Sequence, residues 1–269
     1  MVGLTWIGGA TRAAQASTMP YGLYISAAGA QAQNRRMEVV ANNLANVETV
    51  GFKRQLAGFQ ARYTEAAERG LDLPGNGTLA DLGGGVMLRD APTDFSVGPL
   101  KTTQIPTDLA INGDGFFAVQ KGNQTLLTRA GNFSFNPEGV LVTQQGYPVL
   151  SDSNTPITID PEAGPWTFQT DGTFVQGGEV QALAVVRPRS LGDLKHAAEN
   201  LFLPTGPIGQ VEPELRQVQT HVIEMSSVKP TQEMMEMIET SRSFECNVNM
   251  IRNQDQMIGT LISRVLKEG

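Results

Sequence analysis

Apolar and small residues recur at steps of three and four near both ends of the chain. From Tyr21 to Asn46 no proline interrupts the sequence, and Asn34 is the one break in the repeat. This seven-residue spacing predicts a helix that ends near Asn46 and carries a coiled-coil seam. The repeating positions are Leu23, Ala27, Ala30, Met37, Ala41 and Leu44.

The second repeat begins at Pro230, a residue that the first turn of a helix tolerates. No proline follows it, and the first later glycine is Gly259. A helix from Pro230 to Lys267 is far longer than the usual ~11 residues, and this length favours a coiled coil. A long interior helix would have the same pattern, but a chain of this size has little core to cover one. The repeat comprises Met234, Met237, Ser241, Phe244, Val248, Ile251, Asp255, Ile258, Ile262 and Val265.

Between the two repeats the apolar period shortens to two, and turn sequences recur. These short runs separated by turns predict consecutive antiparallel hairpins. The turns are expected at Asn112–Gly115, Lys121–Asn123, Asn136–Gly139 and Asp171–Gly172.

The order of these patterns predicts an α+β protein. Long N- and C-terminal helices should form a coiled-coil-like domain, because each buries its apolar seam most simply against the other. A β-rich middle domain of antiparallel hairpins lies between them in sequence. The predicted divisions are a disordered lead-in at 1–18, the N-terminal helix at 19–54, a connecting region at 55–106, the β-rich domain at 107–222 and the C-terminal helix at 223–269.

The first 18 residues have three interpretations. They include a mildly apolar stretch, but their one charge, Arg12, follows that stretch rather than preceding it, which disfavours a cleaved signal peptide. A start at Met19 and a short disordered lead-in fit the sequence better.

Composition narrows the function. Charged residues make up 17% of the chain and the net charge is −7, with lysine and arginine scattered, so nucleic-acid binding is not expected. The single cysteine, Cys246, permits no internal disulfide and no cysteine-rich metal site. No run approaches the ~18 apolar residues of a membrane span, so direct membrane insertion is not expected.

Catalytic chemistry has little support in the sequence. Gly113–Ala118 fits the letters of a dinucleotide-binding loop, but a strand pattern follows it where a helix is required. His196 and His221 stand outside any metal-spaced cluster, and Cys246 lies in the predicted C-terminal helix. We therefore predict no catalytic residue, no cofactor and no metal. The rival interpretation is an extracytoplasmic β-rich binding module or hydrolase with helical flanks, which would need a concave site with paired carboxylates or an oriented histidine.

Three segments resemble the flagellar rod and hook protein family. The first runs from Gly22 through A-N-N-L-A-N at 41–46 to G-F-K-R at 51–54. The second is D-L-A-I-N-G-D-G-F-F at 108–117 with T-R-A-G-N-F at 128–133. The third is E-M-S-S-V at 224–228, followed by the sequence 233–245. Their order and spacing match the family.

The resemblance implies a structural subunit of the flagellar basal-body rod, without enzymatic activity. It implies export through the flagellar type III apparatus without a cleaved signal, and assembly in the periplasm with other copies and with other rod and hook subunits. The stretch Asp94–Leu100 is similar to both proximal and distal rod proteins, and we favour the proximal position.

Two sets of residues are predicted to carry this function. The family motif contributes Asn42, Asn43, Leu44, Ala45, Asn46, Gly51, Phe52 and Lys53. The assembly seam is predicted at Leu23, Ala27, Ala30, Met37, Leu44, Met237, Phe244, Val248, Ile251, Ile258 and Ile262.

Overall fold

The structure is a computed structural model that describes residues 21–61, 63, 83–88, 91–160, 162–198 and 200–267. The predicted lead-in at 1–18 lies outside these residues. Contacts divide the chain into two compact units. Unit 1 comprises 1–38, 58–89 and 238–269, and unit 2 comprises 39–57 and 90–237.

Both terminal helices are present. Helix α1 spans Tyr21–Ala45, and helix α2 spans Pro230–Val265. Their ends fall within two residues of those predicted from the repeats. At 36 residues, α2 is about 54 Å long for a rise of ~1.5 Å per residue. No helix among the described residues is long and apolar enough to cross a membrane.

The rest of the described chain is rich in short strands. In chain order they are β1 (Phe59–Ala61), β2 (Val86–Leu88), β3 (Leu100–Thr102), β4 (Leu109–Ile111), β5 (Phe116–Lys121), β6 (Gln124–Thr128), β7 (Ser134–Phe135), β8 (Leu141–Val142), β9 (Trp166–Phe168), β10 (Thr173–Gln176), β11 (Glu179–Ala182), β12 (Val185–Pro188), β13 (Leu194–Ala198), β14 (Leu201–Pro204), β15 (Ile208–Gln210), β16 (Val218–Thr220) and β17 (Val222–Glu224).

An antiparallel sheet of six strands forms the centre of unit 2. Its strand order is β13-β14-β6-β5-β12-β15. A three-stranded sheet has the order β11-β10-β9, and the strand pairs β16-β4, β17-β3 and β7-β8 also belong to this unit. The expected α+β class with a β-rich middle of antiparallel strands is therefore confirmed.

Strand β5 contributes side chains to two apolar clusters of unit 2, one on each of its faces. Phe117 and Val119 pack into one apolar cluster, whereas Phe116 and Ala118 pack into another. All four are at most 2% exposed, because the central strand is covered on both faces. A continuous apolar run of this kind is typical of such a strand.

Three of the four predicted hairpins are present. Lys121–Asn123 joins β5 to β6, Asn136–Gly139 joins β7 to β8, and Asp171–Gly172 joins β9 to β10.

The hairpin expected at Asn112–Gly115 is wrong, since β4 pairs with β16 and β5 pairs with β6 and β12. Gly113 and Gly115, at φ +144° and +141°, let the chain leave one sheet and enter the next. Local turn letters predicted the reversal but could not predict the long-range partner of each strand.

Candidate assembly site

The predicted assembly seam differs in exposure along its length. Ala30 is buried, and the other seam positions of α1 are half-buried: Leu23, Ala27, Met37 and Leu44. In α2 the half-buried seam positions are Met237, Phe244, Val248, Ile251 and Ile258. Ile262 is exposed. Leu44 and Met237 belong to unit 2, and the remainder to unit 1.

In unit 1, small and polar residues mark the approach of α1 to α2. A Cβ added to Gly22 would lie 2.8 Å from Gln254 Nε2, and one added to Gly29 would lie 3.0 Å from Asn247 Oδ1. Seven residues forward in α1 correspond to seven residues back in α2, so the two helices run antiparallel here. The buried residues in the described part of unit 1 are all small: Ser26, Ala30, Ala32 and Thr240.

Large apolar side chains of α2 point into solvent in unit 1. Leu261 is 67% exposed and Leu266, just beyond the helix, is 76% exposed. Contiguous exposed apolar surface is typical of protein–protein interaction sites. The other members are Ile238, Met250, Met257, Ile262 and Val265.

Two chain segments of unit 2, residues 43–55 and 224–236, lie side by side and form what we call the polar neck. The amide of Gly51 donates to the carbonyl of Glu224 at 2.7 Å, and the amide of Ser227 donates to the carbonyl of Phe52 at 3.1 Å. The neck contains the end of α1 and the start of α2. Several of its side chains form hydrogen bonds and ion pairs between the two segments.

Asn43 is the first of these polar contacts. It is 1% exposed, although it lies in a helix. Its Nδ2 donates to the carbonyl of Gln55 at 2.8 Å and to Glu233 Oε2 at 3.1 Å, and its Oδ1 accepts from the amide of Gln55 at 2.9 Å. A buried amide is tolerated only when its donors and acceptor are satisfied, as they are here.

Glu224 is the centre of a buried ion cluster. Lys53 Nζ lies 2.5 Å from Glu224 Oε1, and Arg129 Nη1 lies 3.3 Å from Glu224 Oε2. Lys53 and Glu224 are 1% exposed and Arg129 is 4% exposed. Lys53 also donates to the carbonyl of Ser96 at 2.7 Å. Two cations thus share one carboxylate inside the protein.

Burial shifts the pKa of both cations in this cluster. Burial lowers the pKa of Lys53 below its ordinary value of 10.5, against the raising effect of the Glu224 charge. Burial lowers the pKa of Arg129 as well, again opposed by Glu224. Each cation is therefore less favourable inside the protein than in water, and Glu224 offsets part of that cost.

Arg54 forms a second ionic cluster in the neck. Its Nε donates to Glu233 Oε1 at 2.5 Å, and its Nη2 donates to Glu236 Oε1 at 2.8 Å. Burial acts to lower the pKa of Arg54, but the hydrogen bonds and charges of Glu233 and Glu236 outweigh it and raise the pKa. The buried carboxylate of Glu233 also accepts from Asn43. It therefore joins three parts of the neck: the end of α1, the segment that contains Arg54, and the start of α2.

Family models match three parts of the chain. A model described as "Flagella basal body rod protein" covers residues 23–53, "Flagellar hook protein FlgE/F/G D1 domain" covers 110–176, and "Flagellar basal body rod FlgEFG protein C-terminal" covers 219–264. A flagellar basal-body rod protein FlgF from Caulobacter vibrioides is 35% identical over 93% of this chain and 99% of that relative. The chain belongs to the flagellar basal-body rod proteins.

Other relatives of this rod protein are named flagellar basal-body rod protein FlgG. A FlgG protein from Caulobacter vibrioides is 34% identical over 88% of this chain and 96% of that relative. A FlgG protein from Buchnera aphidicola subsp. Schizaphis graminum is 33% identical over 89% of this chain and 97% of that relative. The family is one of structural rod proteins, so the rod function predicted from the motifs is confirmed and the hydrolase interpretation is not favoured.

The family motif of this rod protein is divided between surface and interior. Asn43, Gly51, Phe52 and Lys53 are buried, Leu44 and Asn46 are half-buried, and Asn42 and Ala45 are exposed. Asn46 Nδ2 donates to the carbonyl of Asn42 at 2.8 Å at the end of α1. The motif therefore has a clear structural role in the neck, on its buried side.

Gly51 shows why the motif needs glycine at that position. Its φ is +68°, and an added Cβ would lie 2.3 Å from the amide nitrogen of Ala130. Any other residue would be strained in its backbone and would collide with a neighbouring segment.

Sequence reasoning on this rod protein missed the charged partners inside the neck. Arg54, Arg129, Glu224, Glu233 and Glu236 were recognised only as letters of the three matching segments. One signal was available, since Glu224 stands within the otherwise uncharged stretch 222–228 and Glu233 is the one acidic residue in the first turn of α2. Charged residues in such settings either cap a helix or pair in the interior.

Cys246 is exposed on α2. Within the described residues no group of three or more histidine, cysteine, aspartate or glutamate side chains is placed to hold a metal ion.

Proposed function

We propose that this rod subunit polymerises through its terminal helices into the periplasmic drive shaft that transmits torque to the hook and filament. Its helices would form a coiled-coil-like inner domain in the assembled rod. The observation that carries this proposal is the row of exposed apolar side chains on α2, including Leu261 at 67% exposure. Neighbouring copies and other rod and hook subunits would cover these residues.

Folding of the seam is coupled to assembly in this mechanism. The seam would stay loosely packed in the free chain, pass through the flagellar type III export apparatus without a cleaved signal, and order when neighbouring subunits cover it. The small size of the buried residues in unit 1, such as Ala30 and Thr240, supports a weak helix pair in the free subunit. The subunit acts as a structural part and not as an enzyme.

A charge introduced at Leu261 tests the proposal. Because this side chain is exposed, Leu261→Asp should change the free energy of unfolding of the purified subunit by no more than ~0.5 kcal/mol. In the rod the same carboxylate would be buried without a partner, so incorporation should be lost. Incorporation is measured by quantitative mass spectrometry of purified hook–basal bodies.

The matched control is Gln256→Asp, which places the same charge at an exposed polar position on another side of α2. It should incorporate normally. Incorporation of Leu261→Asp at the normal level would refute the role of this surface. Ile251→Asp, at a half-buried seam position, should also prevent incorporation while unit 2 stays folded.

The proximal position in the rod is a separate proposal. It rests on the FlgF relative, of which this chain covers 99%. Hook–basal bodies from a strain that lacks this gene test it. An incomplete proximal rod and the absence of every layer beyond it are expected, whereas a complete proximal rod that lacks only its distal part would contradict the proposal.

A further inference from the structure

A small cavity in unit 2 is lined by an unusual concentration of positive charge. Its volume is about 110 Å³, and it is bounded by three arginines and one aspartate together with Phe95 and Phe116. The charged residues are Arg129, Arg187, Arg189 and Asp114. Among the residues that line the cavity, positive charges therefore exceed negative charges by two, in a chain whose net charge is −7.

Arg129 supplies the buried side of the cavity. Its Nη1 donates to the carbonyl of Ile111 at 3.1 Å as well as to Glu224, and its Nη2 donates to the carbonyl of Gly113 at 2.6 Å. Its Nε has no hydrogen-bond partner among the described residues, although the side chain is only 4% exposed. An unsatisfied buried N–H of a cation is costly, and an acceptor seated in the cavity would remove that cost.

The other two arginines lie on the solvent side. Arg187 Nη2 is 2.9 Å from Asp114 Oδ2, but both side chains are more than 60% exposed, so this pair is weak and easily exchanged. The Arg189 side chain is exposed and forms no hydrogen bond or ion pair with the rest of the described chain. Both guanidinium groups are thus available to a ligand that enters from solvent.

The chemistry of the lining selects the class of ligand. Planar guanidinium groups bind carboxylate and phosphate oxygens through paired hydrogen bonds. A volume of about 110 Å³ accommodates a group of a few heavy atoms and excludes a nucleotide. We propose that this cavity is a binding site for a small oxyanion, held by Arg129 at its base and by Arg187 and Arg189 at its mouth.

Thermal unfolding of the purified full chain tests the proposal. Sodium phosphate at ~10 mM, compared with sodium chloride at the same ionic strength, should raise the unfolding midpoint by about 2–4 °C for a millimolar site. In the double variant R187Q/R189Q the phosphate-specific rise should disappear, while the fold is retained because both side chains are exposed. The matched control R242Q/R252Q, which removes two exposed arginines of α2, should keep the full rise.

A direct readout and a second anion complete the experiment. The amide resonances of Gly115 and Phe116 should shift on titration with phosphate in the native protein and not in R187Q/R189Q. If acetate reproduces these shifts, the site accepts carboxylates, including those of another protein chain; if phosphate alone does so, the ligand is a free tetrahedral anion. Either result supports the site. Equal effects of phosphate and chloride, or a phosphate effect that survives in R187Q/R189Q, would overturn it.

Discussion

The core of unit 2 and the helices of unit 1 bury very different side chains. Phe117, Leu141 and Leu183 in unit 2 are fully buried. The buried residues in the described part of unit 1 are serine, alanine and threonine, while leucine, isoleucine and methionine side chains of α2 in the same unit face solvent. Because apolar burial is the main favourable term in folding, we expect unit 2 to be the more stable of the two units in the free subunit.

The largest expected effect on stability comes from truncating a buried side chain in the core of unit 2. Phe117→Ala should lower the free energy of unfolding by about 3–5 kcal/mol, because it removes a ring packed 5.1 Å from that of Phe133 and leaves a cavity. Leu261→Ala, the matched truncation in unit 1, should change it by less than ~0.5 kcal/mol. Urea denaturation of both purified variants measures the difference. Similar losses of stability for the two variants would contradict this difference between unit 2 and unit 1.

Much of the secondary structure of both units could be predicted from the sequence. The seven-residue repeats predicted α1 and α2 to within two residues of their ends, and the turn letters predicted three hairpins. A repeat indicates which side chains share a helix face. It does not indicate which partner covers that face, so the packing of the seam residues stays a prediction, from Leu23 to Ile262.

The polar neck was the least predictable part. Lys53, Arg129 and Glu224 are separated by 76 to 171 positions along the chain and meet only after unit 2 has folded. Local periodicity and turn sequences do not predict contacts between residues so far apart along the chain. The motif letters marked these positions, but their electrostatic roles follow only from burial and distance.

Removing the carboxylate at the centre of the neck should have the next largest effect. Glu224→Gln leaves Lys53 and Arg129 buried without a counter-charge, so we expect a loss of about 3–5 kcal/mol in the free energy of unfolding. Glu239→Gln on the exposed side of α2 is the control, with a change of less than ~0.5 kcal/mol. Chemical denaturation followed by circular dichroism checks both. A loss below 1 kcal/mol for Glu224→Gln would show that the cluster is accessible to water.

Asn43 offers a smaller change within the same neck. Asn43→Ala removes the three hydrogen bonds to Gln55 and Glu233, and we expect a loss of about 1–3 kcal/mol. The neighbouring Asn42→Ala should be nearly neutral, because the Asn42 side chain is exposed. Amide hydrogen exchange should show faster exchange at Gln55 in the first variant only. Unchanged exchange at Gln55 would show that the Asn43 side chain does not stabilise the neck.

The smallest expected effect is a pH dependence that belongs to Lys53. Its pKa is lowered from 10.5 in the folded protein, chiefly by burial, so above the lowered value the unfolded chain binds more protons than the folded one. The free energy of unfolding therefore gains a contribution that rises with pH until it passes 10.5. Lys53→Met removes this contribution and leaves Arg129 paired with Glu224, so its cost should be smaller than that of Glu224→Gln. Urea unfolding at pH 7 to 10 should show the native protein gaining stability relative to Lys53→Met, whereas Lys101→Met, at an exposed position, should follow the native curve. A constant difference between native protein and Lys53→Met over this range would mean that Lys53 titrates as it does in water.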